Sequence, residues 1–251
     1  MSEPYPDFVA RFYDAVYAQV RDGVDNAYYL EAMRAAGGPV LEIGVGTGRL
    51  FAEARRRGID VWGIDTSPAM IERCRAKLAE AERGRVWVAD ATRLKSDQRF
   101  ALIVAPFRVL SHVHGPDDQL RLLDAVREHL VPGGRFVFDL FVPDLKLLLE
   151  GVPETTDFDG EHAPGRRLRR TVSSSPADLA RQTSRVRMSF LWDEEDGERR
   201  GEWGFEMRFF FRFELEHLVA RSKLTLEAIH GDFAGGPLAP DSREYVVVCR
   251  N

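Results

Sequence analysis

The sequence predicts an α/β protein: a doubly wound, Rossmann-like seven-stranded sheet with an antiparallel sheet inserted late in the chain. Three observations carry this. The apolar run Val40-Leu41-Glu42-Ile43 opens into Gly44-Val45-Gly46-Thr47-Gly48, and a charged helical pattern follows. Two more short apolar runs, Val61-Trp62-Gly63-Ile64-Asp65 and Val86-Trp87-Val88-Ala89-Asp90, end in carboxylates and are separated by helical stretches. After Val142 the apolar period becomes two, the mark of half-buried antiparallel strands.

Taken in order, residues 7–17 place Phe8, Phe12, Tyr13, Val16 and Tyr17 on one helical face. A second helix, with Tyr28, Tyr29, Leu30 and Met33, stops at Gly37-Gly38. Most of these aromatics are expected to pack on the sheet. The first strand is expected over 39–45, its crossover helix over 51–57, and the second strand over 59–65. Ser67-Pro68 starts the next helix, a hydroxyl cap followed by proline at the first helical position. That helix is expected to reach Arg83 and stop at Gly84. Met70 falls in its first turn, where it can lie against a flat ligand or fill core.

The third strand is read over 86–89 and the fourth over 100–105, apolar throughout as a central parallel strand should be. Pro106-Phe107-Arg108 follows, and Asp117 is expected to cap the helix that carries Leu120, Leu123 and Val126. Pro132-Gly133-Gly134 turns into a fifth strand over 135–140. Further strands are read over 166–175, 181–192 and 205–213, with a charged turn over 193–202. A helix over 214–223 and strands over 224–229 and 245–249 close the chain. Residues 1–142 and 214–251 thus form the expected ligand-binding unit, and 143–213 an inserted sheet or lid.

In such a sheet a ligand sits outside the carboxyl ends of the strands, where Asp65, Asp90 and Pro106 fall. Glycines at 44, 46 and 48 let the backbone take positive φ and come close to that ligand. Asp65 stands where a ribose-binding acid is found in a βαβ unit. Asp90 can accept from an adenine amine. Three strand ends then hold one nucleoside-like ligand, whereas a dinucleotide needs only the first two.

With these motifs the chain resembles the class I S-adenosylmethionine-dependent methyltransferases over residues 40–142. The stretches that carry the likeness are 42–48, 63–70, 89–91 and the 130–136 turn before the fifth strand. Ala101 departs from the acid common there, and Val45 from a smaller residue. The resemblance implies S-adenosylmethionine as cofactor, with Glu42, Gly44, Gly46, Gly48, Asp65, Thr66, Met70, Asp90, Ala91, Pro106 and Phe107 around it. It also implies a Tyr-Asp-x-x-Tyr helix over the sulfonium, matched by Tyr13-Asp14-Ala15-Val16-Tyr17, with Tyr29 as a second aromatic candidate. His112, six residues past Pro106, is the expected catalytic residue, a base or a group that orients the acceptor. It is most similar to small-molecule members with a sheet after strand five, including amino-sugar and glycine N-methyltransferases. Nitrogen and oxygen acceptors both remain open.

Composition narrows the partners. A chain of 251 residues with 44% hydrophobic and 30% charged residues reads as a globular protein. A net charge of −5 argues against general nucleic-acid or membrane binding. Ala105 stands where base-amine methyltransferases carry a side-chain acceptor. No signal peptide and no metal-ligand spacing are read, Cys74 and Cys249 read as free thiols, and a cytoplasmic location is expected. The apolar face of the inserted sheet suggests a roof over the acceptor or a homodimer contact. Two other function classes are weighed: a catalytically silent binding protein of this fold, and a nicotinamide-dependent oxidoreductase. The second predicts G-x-G-x-x-G, whereas the glycines here are spaced G-x-G-x-G.

Overall fold

A computed structural model describes residues 5–20 and 23–251. The seven strands of the main sheet are β1 (Val40–Ile43), β2 (Val61–Asp65), β3 (Val86–Val88), β4 (Phe100–Ala105), β5 (Leu130–Phe141), β10 (Thr225–His230) and β11 (Glu244–Arg250). They lie in the order β10-β11-β5-β4-β1-β2-β3. β1 to β5 run parallel, and β11 lies antiparallel to both β5 and β10. The order reverses beside β1, which opens the crevice at the carboxyl ends where α/β sheets bind ligands.

Alternation along each strand feeds two cores. Val40 and Val61 face α2 (Val24–Ala35), α3 (Arg49–Arg56) and α4 (Pro68–Ala76). Leu41 and Ile64 face the opposite layer, α5 (Pro116–His129) and α7 (Arg212–Arg221). The inserted sheet is a separate antiparallel ladder of β6 (Val152–Ala163), β7 (Arg166–Ser174), β8 (Thr183–Glu194) and β9 (Gly197–Arg208). Its inner face, with Leu168, Met188, Phe190, Trp203 and Phe205, packs on Val9, Phe12 and Val16 of α1 (Asp7–Val20). The N-terminal helix therefore covers the apolar face for which the sequence required a partner.

Several local expectations change. α4 stops at Ala76, because the Lys77 and Leu78 N–H groups switch to carbonyls three residues back, and a 3-10 turn covers Glu80–Arg85. Asp117 is not the cap of α5: Gly115 holds that position and Pro116 takes the first helical one. The charged stretch 193–202 is not a loop. β8 and β9 pair through it to a hairpin end at Glu194 and Gly197, where α1 reaches it only through Phe8 against Gly201 and the Arg11–Glu194 pair. β9 ends at Arg208, and Phe210 turns into the core ahead of α7. α6 (Leu145–Glu150) and β6 had no readable pattern; β6 buries only Phe158.

The basic run 166–170 is mostly a paired face, with Arg166 on Glu195 and Arg167 and Arg169 on Asp159. Arg170 is the exception: it points inward, 3% exposed, forks onto Asp157 and lies 5.0 Å from the Tyr17 ring. Among the described residues no helix is long and apolar enough to cross a membrane, and no group of three or more His, Cys, Asp or Glu could hold a metal. Cys74 and Cys249 are free and buried, and burial pushes both thiols up to about 12.

Candidate functional site

A cavity of about 880 Å³, its mouth included, opens at the carboxyl ends of β1, β2 and β3. It brings together Tyr13, Gly44, Gly46, Asp65, Thr66, Met70, Asp90, Ala91, Phe107 and His112 of the expected site. Tyr29, Glu42, Gly48 and Pro106 do not line it. Tyr5, Ile43, Ile64, Thr92, Val109, Val113 and Leu122 line it without having been foreseen. Tyr5 arrives by tertiary stacking, its ring 4.3 Å from Trp203 of the inserted sheet and 6.2 Å from Tyr13.

The glycines do different work. Gly46 has φ +55 and a Cβ there would meet nothing nearer than 4.0 Å, so the missing side chain leaves open space over the turn. A Cβ on Gly44 would meet Val109 Cγ2 at 2.5 Å, and one on Gly48 would strike Cys74 of α4. Those two positions are fixed by packing as much as by any ligand.

Asp65 stitches the turn together. Its Oδ2 accepts the Gly46 N–H at 2.9 Å and its Oδ1 the Ser67 N–H at 2.8 Å. Burial raises its pKa, against the pull of those backbone donors. Asp90 caps the 3-10 turn Ala91–Arg93, accepting both the Thr92 N–H and hydroxyl at 2.8 Å on Oδ1. Glu42 lies just behind the glycine turn. Its carboxyl is 2% exposed, and its Oε2 has no hydrogen-bond partner among the described residues. Burial drives its pKa well up, with Arg49 opposing and Asp65 reinforcing.

The opposite wall is the loop after β4. Phe107 and Arg108 both hold positive φ, 62° and 59°, a left-handed conformation that side chains resist. Asp139 on β5 supports them: it is 1% exposed, accepts the Phe107 N–H at 2.9 Å and faces Arg108 Nε at 3.5 Å. Arg108 also pairs with Glu244. Tyr29, fully buried, donates its hydroxyl to Asp139, so its role is in this network and not at the cavity. Past the loop, the 3-10 turn Val109–His112 brings His112 to the cavity, its ring centroid 5.4 Å from Phe205. Gln119 of α5 holds the following backbone, donating to Val113 O at 2.8 Å. Burial, and then the neighbouring His114, lower the His112 pKa from 6.5 to about 4, which leaves the ring neutral at physiological pH.

α1 is tied to the glycine turn and to α4. Asp14 of α1 accepts the Thr47 hydroxyl at 2.6 Å and pairs with Lys77 past the end of α4. Tyr13, its neighbour in sequence, lies on the cavity.

The geometry suits a cationic nucleoside donor: the Asp65 and Asp90 side chains, an apolar floor of Ile43, Ile64 and Met70, and open space over Gly46, with Glu42 behind the glycine turn. A family model described as a methyltransferase domain matches residues 40–134. No curated protein matches the chain in sequence. The fold is similar to that of an S-adenosylmethionine-dependent methyltransferase from Clostridium acetobutylicum, with TM-score 0.77, 17% identity and 97% of each chain covered. It is also similar to the CcbJ methyltransferase from Streptomyces caelestis, with TM-score 0.73, 28% identity, and 91% of this chain and 94% of that one covered. A third likeness is to the sugar N-methyltransferase KedS8 from a Streptoalloteichus species, with TM-score 0.75, 20% identity, and 95% and 93% covered. Residues 40–134 are thus a methyltransferase domain, set in a seven-stranded sheet whose fold, insertion included, is that of solved S-adenosylmethionine-dependent methyltransferases.

Proposed function

We propose that the chain moves a methyl group from S-adenosylmethionine to a nitrogen or oxygen of a small-molecule acceptor. The observation that carries this is the single cavity shared by Asp65, Asp90 and His112. Asp65 would take the ribose hydroxyls on the lone pairs left by Gly46 and Ser67, and Asp90 the adenine amine through Oδ2. Glu42 would lie behind the ammonium, and Met70 against the base. The sulfonium supplies an already activated methyl group, so the protein has to position, exclude water and accept a proton. Tyr5 and Tyr13 close the cavity toward solvent, and neutral His112 is placed to accept the acceptor's proton or to orient its nucleophile.

In this reading residues 1–142 and 214–251 carry the donor, and 143–213 roof the acceptor. A homodimer would use the outer face of the inserted sheet, since α1 covers the inner one. A cytoplasmic location and a soluble acceptor belong to this reading. Calorimetry with S-adenosylhomocysteine and with NAD tests the donor, and turnover of labelled donor against amines and phenols tests the acceptor. Binding of NAD and not of S-adenosylhomocysteine would overturn the proposal.

A further inference from the structure

A second cavity, of about 1100 Å³ with its mouth, opens where the inserted sheet meets the carboxyl end of β5. Its walls are mostly apolar: Phe141 from β5, Leu147 and Leu148 from α6, Val186 and Met207 from the inserted sheet, and Phe209. It is the neighbour of the donor cavity. Ser111 lines one, and the next residue, His112, lines the other. The turn Val109–His112 is therefore a wall shared by the two cavities.

The charges around this cavity are already matched. Arg208, 9% exposed, pairs with Glu214 and donates to the Arg181 carbonyl at 2.8 Å. Arg243 faces Asp144 at 3.6 Å, and Glu244 pairs with Arg108. A diphosphate entering here would have to compete with Glu214 for Arg208 and with Asp144 for the exposed Arg243. An uncharged aromatic or aliphatic group meets no such cost, and each Å² of its surface removed from water contributes about 25 cal/mol.

We infer that this cavity takes the uncharged apolar body of the methyl acceptor, with the nucleophile reaching past Ser111 to His112. The acceptor is then an amphipathic molecule and not a sugar carried on a nucleoside diphosphate. This inference rests on the reading of the first cavity as the donor site. A concave site walled by two layers suits a small molecule better than a second copy, which would instead cover the exposed Leu145 and Leu149 outside it.

The test titrates the full chain with N-phenyl-1-naphthylamine, a neutral dye that brightens in apolar surroundings, in the presence of S-adenosylhomocysteine. Leu147→Asp changes a lining residue that is 49% exposed, so the fold should tolerate it. Leu149→Asp, 64% exposed and outside the cavity, is the control. The expected result is saturable one-to-one binding in the parent, at least about ten-fold weaker binding in L147D, and parental binding in L149D, corresponding to about 1.4 kcal/mol for the lining change. Millimolar uridine diphosphate glucose should not displace the dye. Non-saturable binding, parental binding in L147D, or displacement by the nucleotide sugar overturns the inference. So does an equal loss in L149D with a fall in mass by light scattering, which would make the leucine face a dimer contact. Calorimetry with S-adenosylhomocysteine, expected to be equal in all three proteins, separates the two readings. If the parent does not bind it, the donor assignment fails and the acceptor assignment with it.

Discussion

The Tyr29 hydroxyl donates to Asp139 Oδ1 at 2.7 Å, and that same oxygen accepts the Phe107 N–H at 2.9 Å. A helix on one face of the sheet, a carboxylate within β5 and the wall of the cavity at the ends of β1, β2 and β3 meet at one atom. Left-handed geometry costs an L-residue roughly 1–2 kcal/mol. Phe107 and Arg108 both adopt it, and Asp139 is the group that supports them.

Tyr29→Phe should therefore cost stability and spare binding. It removes one hydrogen bond to a buried carboxylate, about 1.5–3 kcal/mol. Asp139→Asn should cost more, about 3 kcal/mol or above, because buried Arg108 loses one of its two carboxylates and keeps Glu244 and the Phe141 ring. Urea midpoints measure both. Affinity for S-adenosylhomocysteine should be parental in Y29F; a loss there would return Tyr29 to the list of donor contacts.

Asp65→Asn should weaken S-adenosylhomocysteine by roughly 10–100-fold, the loss of a charge-assisted bond of about 1.5–3 kcal/mol. Asp90→Asn keeps a capping oxygen for Thr92 but turns a donor toward the adenine amine, so it should lose affinity with little loss of stability. Calorimetry and thermal melts separate the two effects. Parental affinity in both variants would remove the nucleoside assignment.

His112 gives a pH signature. Its folded pKa lies near 4 and its unfolded value near 6.5. Between those values the unfolded chain holds more protons, so this group withdraws stability as pH falls through that window and contributes nothing above it. Relative to His112→Gln, the parent should lose about 2 kcal/mol between pH 7 and pH 5. Parallel stability curves would show that the ring is not desolvated. In turnover, a base should show an acidic limb near pH 4, and H112Q should lower kcat by about 10²–10⁴-fold.

Asp14→Asn should speed donor release. The carboxylate holds Thr47 and Lys77 to the cap helix, but it is half-exposed, so the bond contributes about 1 kcal/mol, roughly five-fold in affinity. Stopped-flow dissociation of S-adenosylhomocysteine should show the change in the off-rate. An unchanged off-rate would mean that α1 does not gate the cavity.

The strands and the acids at their ends were legible because a buried parallel strand needs a continuous apolar run and its last residue faces the crevice. Asp65 was found that way, but its bonds to Gly46 and Ser67 depend on distance, not on sequence order. Tyr5 was missed because only Trp203, far along the chain, brings it to the cavity. Tyr29 was misplaced, although a signal existed: Asp139 sits in the apolar run Phe136-Val137-Phe138-Asp139-Leu140, and a carboxylate buried there requires partners. The charged end of the β8–β9 hairpin read as a loop because strands that project past their neighbours have no apolar face.

The packing of α1 on the inserted sheet also sets a timetable. Arg11 and Glu194, which pair across that contact, are 183 residues apart. During synthesis at roughly 5–20 residues per second, the apolar face of α1 waits on the order of 10–40 s for the strands that cover it. α1 is made long before the strands on which it finds its place. Until β8 and β9 have left the ribosome, Val9, Phe12 and Val16 are a surface for chaperones to hold.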